Sequence, residues 1–218
     1  MPDQPAQKPR RGCLFYGCLT GIVCLVAILV ALLLGVHLVK KMLNEYTDSQ
    51  PLPLPAVQMT PAQIEQVQQR VTAFWDAVRA GRTAPSLELN SDEINALIAT
   101  NADFQGWRGK LYVTLEGDKV KGQLSFPLAQ LGLPRFHGRY LNGTGIFSVS
   151  LQNGLLRVMP QEVRVKGKPL PATYMDRIKT ENLVTQATAN PGAADALNKL
   201  QSIEIKDSKL IIVPKPAP

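Results

Sequence analysis

Cysteine is missing from this chain after Cys24. Residues 25–218 therefore fold without a disulfide and without a thiolate metal site. Histidine is almost as scarce, with His37 and His137 the two in the sequence. A Ser-His-Asp or Cys-His device outside the N-terminal region would have to use His137, and no G-x-S-x-G accompanies it. His137 alternates with Arg135 and Arg139, opposite Phe136, which reads as a solvated strand position. Carboxylates do not cluster either. Asp92 and Glu93 are explained by the electrostatics of a helix start. The chain is accordingly read as a non-enzyme, with no catalytic, cofactor-binding or metal-ligating residue and no cofactor. Aromatic residues make up 6% of it. No aromatic ladder accompanies the basic residues and the domain is expected outside the cell, so nucleic acid is not expected as a partner.

Formal charge is absent from Cys13 to Val39, CLFYGCLTGIVCLVAILVALLLGVHLV. As a helix this run would measure ~40 Å, against a bilayer core of about 30 Å. It is too long for the apolar core of a signal peptide, and it closes on Lys40-Lys41 rather than a small-residue cleavage site. The expectation is an uncleaved single-pass anchor. Lys8, Arg10 and Arg11 precede it, favouring a cytoplasmic N-terminus and an extracytoplasmic remainder at the cell membrane. Cys13, Cys18 and Cys24 are spaced by five and six, unlike the paired spacing of a zinc site, and suit a membrane helix as small apolar residues. Gly17 and Gly21 form a G-x-x-x-G on the same helical face as Cys13 and Cys24, a candidate surface for a homodimer through the anchor.

The expected organisation is a cytoplasmic N-terminus over 1–12, an anchor over 13–39, a proline-rich linker over 40–59, an α+β domain over 60–213 and a disordered tail over 214–218. Pro51, Pro53 and Pro55 forbid a continuous helix in the linker. Thr60-Pro61-Ala62-Gln63 carries the signals of a helix start. Ile64, Val67, Val71, Phe74, Trp75 and Val78 then recur at helical spacing up to Gly81. Ser86–Leu89 reads as a short strand. Asn90 and Glu93 form a second capping box before a short helix, in which Asn95 is expected to bond a neighbouring backbone.

From Gly109 the period changes to two. Leu111, Val113 and Leu115 alternate with polar residues, as do Val120, Gly122, Leu124 and Phe126. Arg135 to Leu151 is a further extended run, read as interrupted at Asn142-Gly143. Asn153-Gly154 signals a hairpin, and Val163 and Val165 share one side of the returning strand. Helices are expected over 171–183 and 193–200, and a last hairpin turns at Lys206-Asp-Ser-Lys209. The fold class is α+β: an N-terminal transmembrane helix, then an antiparallel curved sheet packed with helices. The glycines of Leu141-Asn-Gly-Thr-Gly145 lack the Lys-Ser/Thr of a phosphate loop and read as a turn or bulge. Asn142-Gly143-Thr144 also spells a glycosylation sequon.

The stretches LNSDEINALI (89–98) and VRVKGKPLPATYM (163–175), in this order behind an N-terminal anchor, resemble the YpmS-like family of single-pass bacterial envelope proteins. The resemblance covers most of the outer domain. It implies a β-rich, lipid-handling fold and carries no catalytic residue over.

Charge on the sheet is lopsided. Residues 104–179 contain 12 basic and 4 acidic side chains, so this region holds more than the whole chain's net +7. Lys119 and Lys121 share one strand face, and Arg164, Lys166 and Lys168 another, which reads either as a solvated outer face or as a candidate surface for anionic lipid headgroups or an acidic envelope polymer. The leading functional expectation is a membrane-anchored binding module whose sheet holds a lipid or an apolar partner segment, with basic residues near the rim. The alternatives are a scaffold subunit of an envelope membrane complex, with the helix of Phe74 and Trp75 as docking or core surface, and an unrecognised hydrolase. A deep apolar groove favours the first, a flat apolar patch over a filled core the second, and a pocket of converging carboxylates or Ser/His the third.

Overall fold

Helix signals and strand alternation sort the chain after the linker into one α+β unit. The computed structural model describes residues 37, 41, 44–132, 136–152, 154–180, 182, 184 and 191–217. The chain divides into two units, Met1–Glu45 and Tyr46–Pro218. Among the described residues no helix is long and apolar enough to cross a membrane. The apolar run, with its three cysteines, Gly17 and Gly21, lies outside the described residues apart from His37.

Helix α1, Pro61–Arg79, begins with its capping box closed. The Gln63 amide donates to Thr60 Oγ1 at 3.3 Å and the Thr60 amide to Gln63 Oε1 at 2.8 Å. Strand β1, Leu87–Leu89, leads into α2, Ser91–Thr100, capped reciprocally by Asn90 and Glu93 at 2.9 Å each way. Strands β2 (Leu111–Glu116), β3 (Lys119–Pro127), β4 (Tyr140–Gln152) and β5 (Leu155–Val165) form a meander. β6 (Lys168–Pro169), α3 (Ala172–Lys179), α4 (Pro191–Asn198), β7 (Leu200–Lys206) and β8 (Lys209–Pro214) complete the unit. All strand pairs are antiparallel in one open eight-stranded sheet ordered β1-β8-β7-β4-β3-β2, with β5 and β6 on the other edge of β4.

The thirteen residues of β4 bind this sheet together. Its first half pairs with β3, and Ser150 further along pairs with Glu204 of β7. The β7–β8 half carries the filled core. Val67, Phe74 and Val78 of α1 are buried there against Leu87, Leu200 and Ile212. Trp75 packs on this cluster too, its ring 5.3 Å from Phe74 in an edge-on contact. Of the two readings of this helix, docking surface or core, the packing of Phe74 and Trp75 is that of core. Lys209 Nζ donates to Glu88 Oε2 at 2.9 Å between β8 and β1. The hydrogen bond and charge of Glu88 hold this exposed ammonium above its ordinary range. Its small contribution is present below the ordinary lysine pKa and is lost as pH rises through the raised one.

Two asparagines bond the outer edges of β2 and β5. Asn95 is 4% exposed; its Oδ1 accepts the Val113 amide at 2.8 Å and its Nδ2 donates to the Val113 carbonyl at 2.6 Å. Ser91 Oγ accepts the Leu115 amide two residues on. On the opposite edge, Asn182 Oδ1 accepts the Val158 amide and its Nδ2 donates to the Leu156 carbonyl. A side-chain amide has the donor and acceptor of a peptide unit, so it can replace a strand that is not there. Asn95→Leu should cost about 2–3 kcal/mol by leaving Val113 unpaired, read from a urea unfolding midpoint. An unchanged midpoint would show that the edge needs no cap.

The glycine-rich stretch is neither turn nor bulge. β4 runs unbroken through Asn142-Gly143-Thr144-Gly145, and the register shift lies at Ile146/Phe147 against β5. His137 is exposed in a turn before β4 rather than in a strand.

Candidate functional site: an apolar groove and its strap

On the β2–β5 half, the residues that alternate inward leave a groove instead of a packed core. Across the strands, Leu111, Leu124, Gly143 and Val165 form one row, and Val113, Gly122, Gly145 and Val163 the next. Phe147 stands at the end of the following row, beside Val120 and Pro160. The groove has a volume of about 540 Å³, within the range of small-ligand pockets. Its large side chains are half-buried valines and leucines, with Trp107 beside Leu111 at one end. The polar members of its wall, Thr144 and Arg164, alternate out of register with the inward row, and Arg164 is ion-paired with Glu162. These walls offer apolar contact area to a ligand.

Glycines shape the floor. Gly122 and Gly145 face each other across β3 and β4, and the Phe147 ring occupies the space their side chains would fill. A Cβ on Gly145 would lie 2.5 Å from Phe147 Cζ, whereas one on Gly122 would meet the ring at an ordinary 3.4 Å. Gly145→Ala should therefore displace the ring and destabilise the protein by about 1–3 kcal/mol. Gly122→Ala should stay within about 0.5 kcal/mol. Equal unfolding midpoints for the two variants would contradict this placement of Phe147.

The other face of the same strands is tied to the linker. Asp48 and Tyr140 exchange two main-chain hydrogen bonds of 2.8 Å. Asn142, 8% exposed, donates through Nδ2 to Asp48 Oδ2 and to the Gln50 carbonyl, both at 2.9 Å. The Leu52 amide is shared between Asn142 Oδ1 at 3.1 Å and Ser125 Oγ at 3.0 Å. Arg139 Nε adds a bond to Thr47 Oγ1. Residues 47–52 are thus a strap fixed on the sheet. The sequon is spent on it: both hydrogens of the Asn142 amide are engaged inside the fold. Alternation alone gave this network no signal, because Ser125 and Asn142 look like solvent-side residues of two-faced strands.

The five basic residues do not make one rim. Lys119, Lys121 and Arg164 alternate onto the face opposite the groove. Lys166 and Gly167 occupy a turn with φ of 52° and 73°. That tight reversal sets Lys168 across from Val165, on the groove side, and breaks the expected Arg164-Lys166-Lys168 alignment. Lys121 pairs with Glu116 at 3.4 Å, Arg164 with Glu162, and Lys166 with Asp48 at 3.3 Å. Among the described residues no group of three or more His, Cys, Asp or Glu could hold a metal ion.

No family model, curated protein or solved structure matches this chain. The functional reading rests on the groove and the sequence.

Proposed function

We propose that this protein is a membrane-anchored, extracytoplasmic binding module of the bacterial cell envelope that holds an apolar ligand in the groove, without catalysing a reaction on it. The observation that carries the proposal is the groove itself: about 540 Å³ bounded by inward-facing apolar residues of four neighbouring strands. Such a surface gains by excluding water from a hydrocarbon, at about 0.8 kcal/mol for each buried methylene. The uncharged run of residues 13–39 supports a single-pass anchor, and the cluster of Lys8, Arg10 and Arg11 supports a cytoplasmic N-terminus. The YpmS-like resemblance points in the same direction.

The scaffold alternative is weakened by the use of Phe74 and Trp75 as core, and the hydrolase alternative by the apolar walls of the groove. Attraction to anionic surfaces is a lesser part of the proposal, since three of its five basic residues have carboxylate partners and the five do not share one face. Titration with an environment-sensitive apolar dye tests the reading. A single saturable site, competed by decanoate, is expected. Non-saturating fluorescence or indifference to decanoate would refute it.

A further inference from the structure

We propose that the groove's occupant is one acyl chain of a bilayer lipid, and that it is admitted at the end of the sheet where β2 begins and β3 ends. This inference rests on the apolar-ligand reading above and adds the ligand's class, its source and its route.

A peptide laid in the groove would bring backbone N–H and C=O groups that need partners. The neighbouring strand edges are already in use. Val113 and Leu115 are bonded to Asn95 and Ser91, Leu156 and Val158 to Asn182, and Val163 to the Leu170 amide. A hydrocarbon chain needs none of these bonds.

The covalent tether to the apolar run is short. The strap is bonded to Tyr140 at Asp48, at the start of β4. Seven peptide units separate Lys41, just past the apolar run, from Asp48. Fully extended they reach at most ~25 Å. A tether this short suits a ligand drawn from the bilayer in which the run is proposed to lie.

The end of the sheet where β2 begins and β3 ends exposes large apolar side chains. Phe104 and Trp107 lie in the 3₁₀ turn Ala102–Trp107 before β2, and Leu131 in the 3₁₀ turn Leu128–Leu131 after β3. They are 40%, 45% and 55% exposed, and Lys110 Nζ ties the two turns together through the Gly106 carbonyl and Gln130 Oε1. Large apolar side chains in water are costly unless they meet another apolar phase, and aromatic residues favour the bilayer interface. Trp107 also lines the groove, so the exposed lip and the groove wall are continuous.

The test uses the full chain in vesicles of phosphatidylethanolamine and phosphatidylglycerol, with a fraction of lipid bearing a photoactivatable diazirine in one acyl chain. After irradiation, adducts are mapped to peptides, and decanoate affinity is measured in parallel. Adducts on the segments of Leu124, Leu141 and Val163 are expected. Phe104→Ser with Leu131→Ser should cut them at least fivefold and leave decanoate affinity unchanged, because neither residue lines the groove. Undiminished groove labelling in this variant would overturn the route. So would a loss of its decanoate affinity, which would make the two residues part of the site. Decanoate binding without groove labelling in the wild type would overturn a bilayer lipid as occupant and leave the apolar-ligand reading standing. Failure of both labelling and decanoate binding would overturn that reading itself.

Discussion

Val163→Trp should abolish binding of apolar ligands while leaving the fold intact. Val163 faces Gly145 across β5 and β4 and lines the groove, so a bulky ring there would take up groove volume. Excluding four methylenes from the site would remove about 3 kcal/mol, more than a hundredfold in Kd. Ile146→Trp is the matched control. Ile146 lies on the neighbouring strand but alternates onto the opposite face, and its variant should bind as the wild type does. Dye titration with decanoate competition reads both. Equal binding by the two variants would place the ligand elsewhere.

The strap supplies the second large effect. A chain beginning at Ala56 retains every helix and strand of the sheet but loses Thr47, Asp48, Gln50 and Leu52. Eight hydrogen-bond contacts go with them, two of them the main-chain pair to Tyr140 and two shared by the single Leu52 amide, together with the Lys166–Asp48 ion pair. At about 0.5–1.5 kcal/mol each, offset by the entropy of ordering the strap, the loss should be about 3–5 kcal/mol. That is a large share of the 5–15 kcal/mol typical of a domain. The urea midpoint of residues 56–218 should fall well below that of 46–218. Coincident midpoints would mean that the strap decorates the sheet without stabilising it. Asn142→Ala should reproduce part of the loss, since this one side chain contacts Asp48, Gln50 and Leu52 together.

Where chemistry was local, the sequence was legible. Both capping boxes form as Thr60/Gln63 and Asn90/Glu93 spell them, and the hairpin signalled by Asn153-Gly154 pairs Gln152 with Leu155. Period-two alternation correctly assigned Leu111, Val113, Val120, Leu124, Val163 and Val165 to one face. It could not say whether that face is covered, because inward alternation looks the same above a packed core as above a groove. The difference lies in Gly122, Gly143 and Gly145. In sequence Gly143 and Gly145 resemble a turn and Gly122 an ordinary inward strand position; in the sheet all three leave the inward rows without a side chain, and the Phe147 ring lies over Gly122 and Gly145. Asn95 was legible as a backbone-bonding residue because a mid-helix asparagine has few other uses. Asn142 was not, because its partners lie about ninety residues away in a stretch that composition describes as a linker. The basic face failed for a third reason: alternation was carried across Lys166-Gly167, where the chain reverses.

The central claim is that the β2–β5 groove holds a hydrocarbon chain. Native mass spectrometry of the full chain, extracted gently from its membrane, tests it most directly. The account predicts a population heavier by the mass of one lipid, sharply reduced in the Val163→Trp variant and retained in Ile146→Trp. A clean ligand-free mass for the wild type, or a lipid adduct that persists unchanged in Val163→Trp, would contradict it.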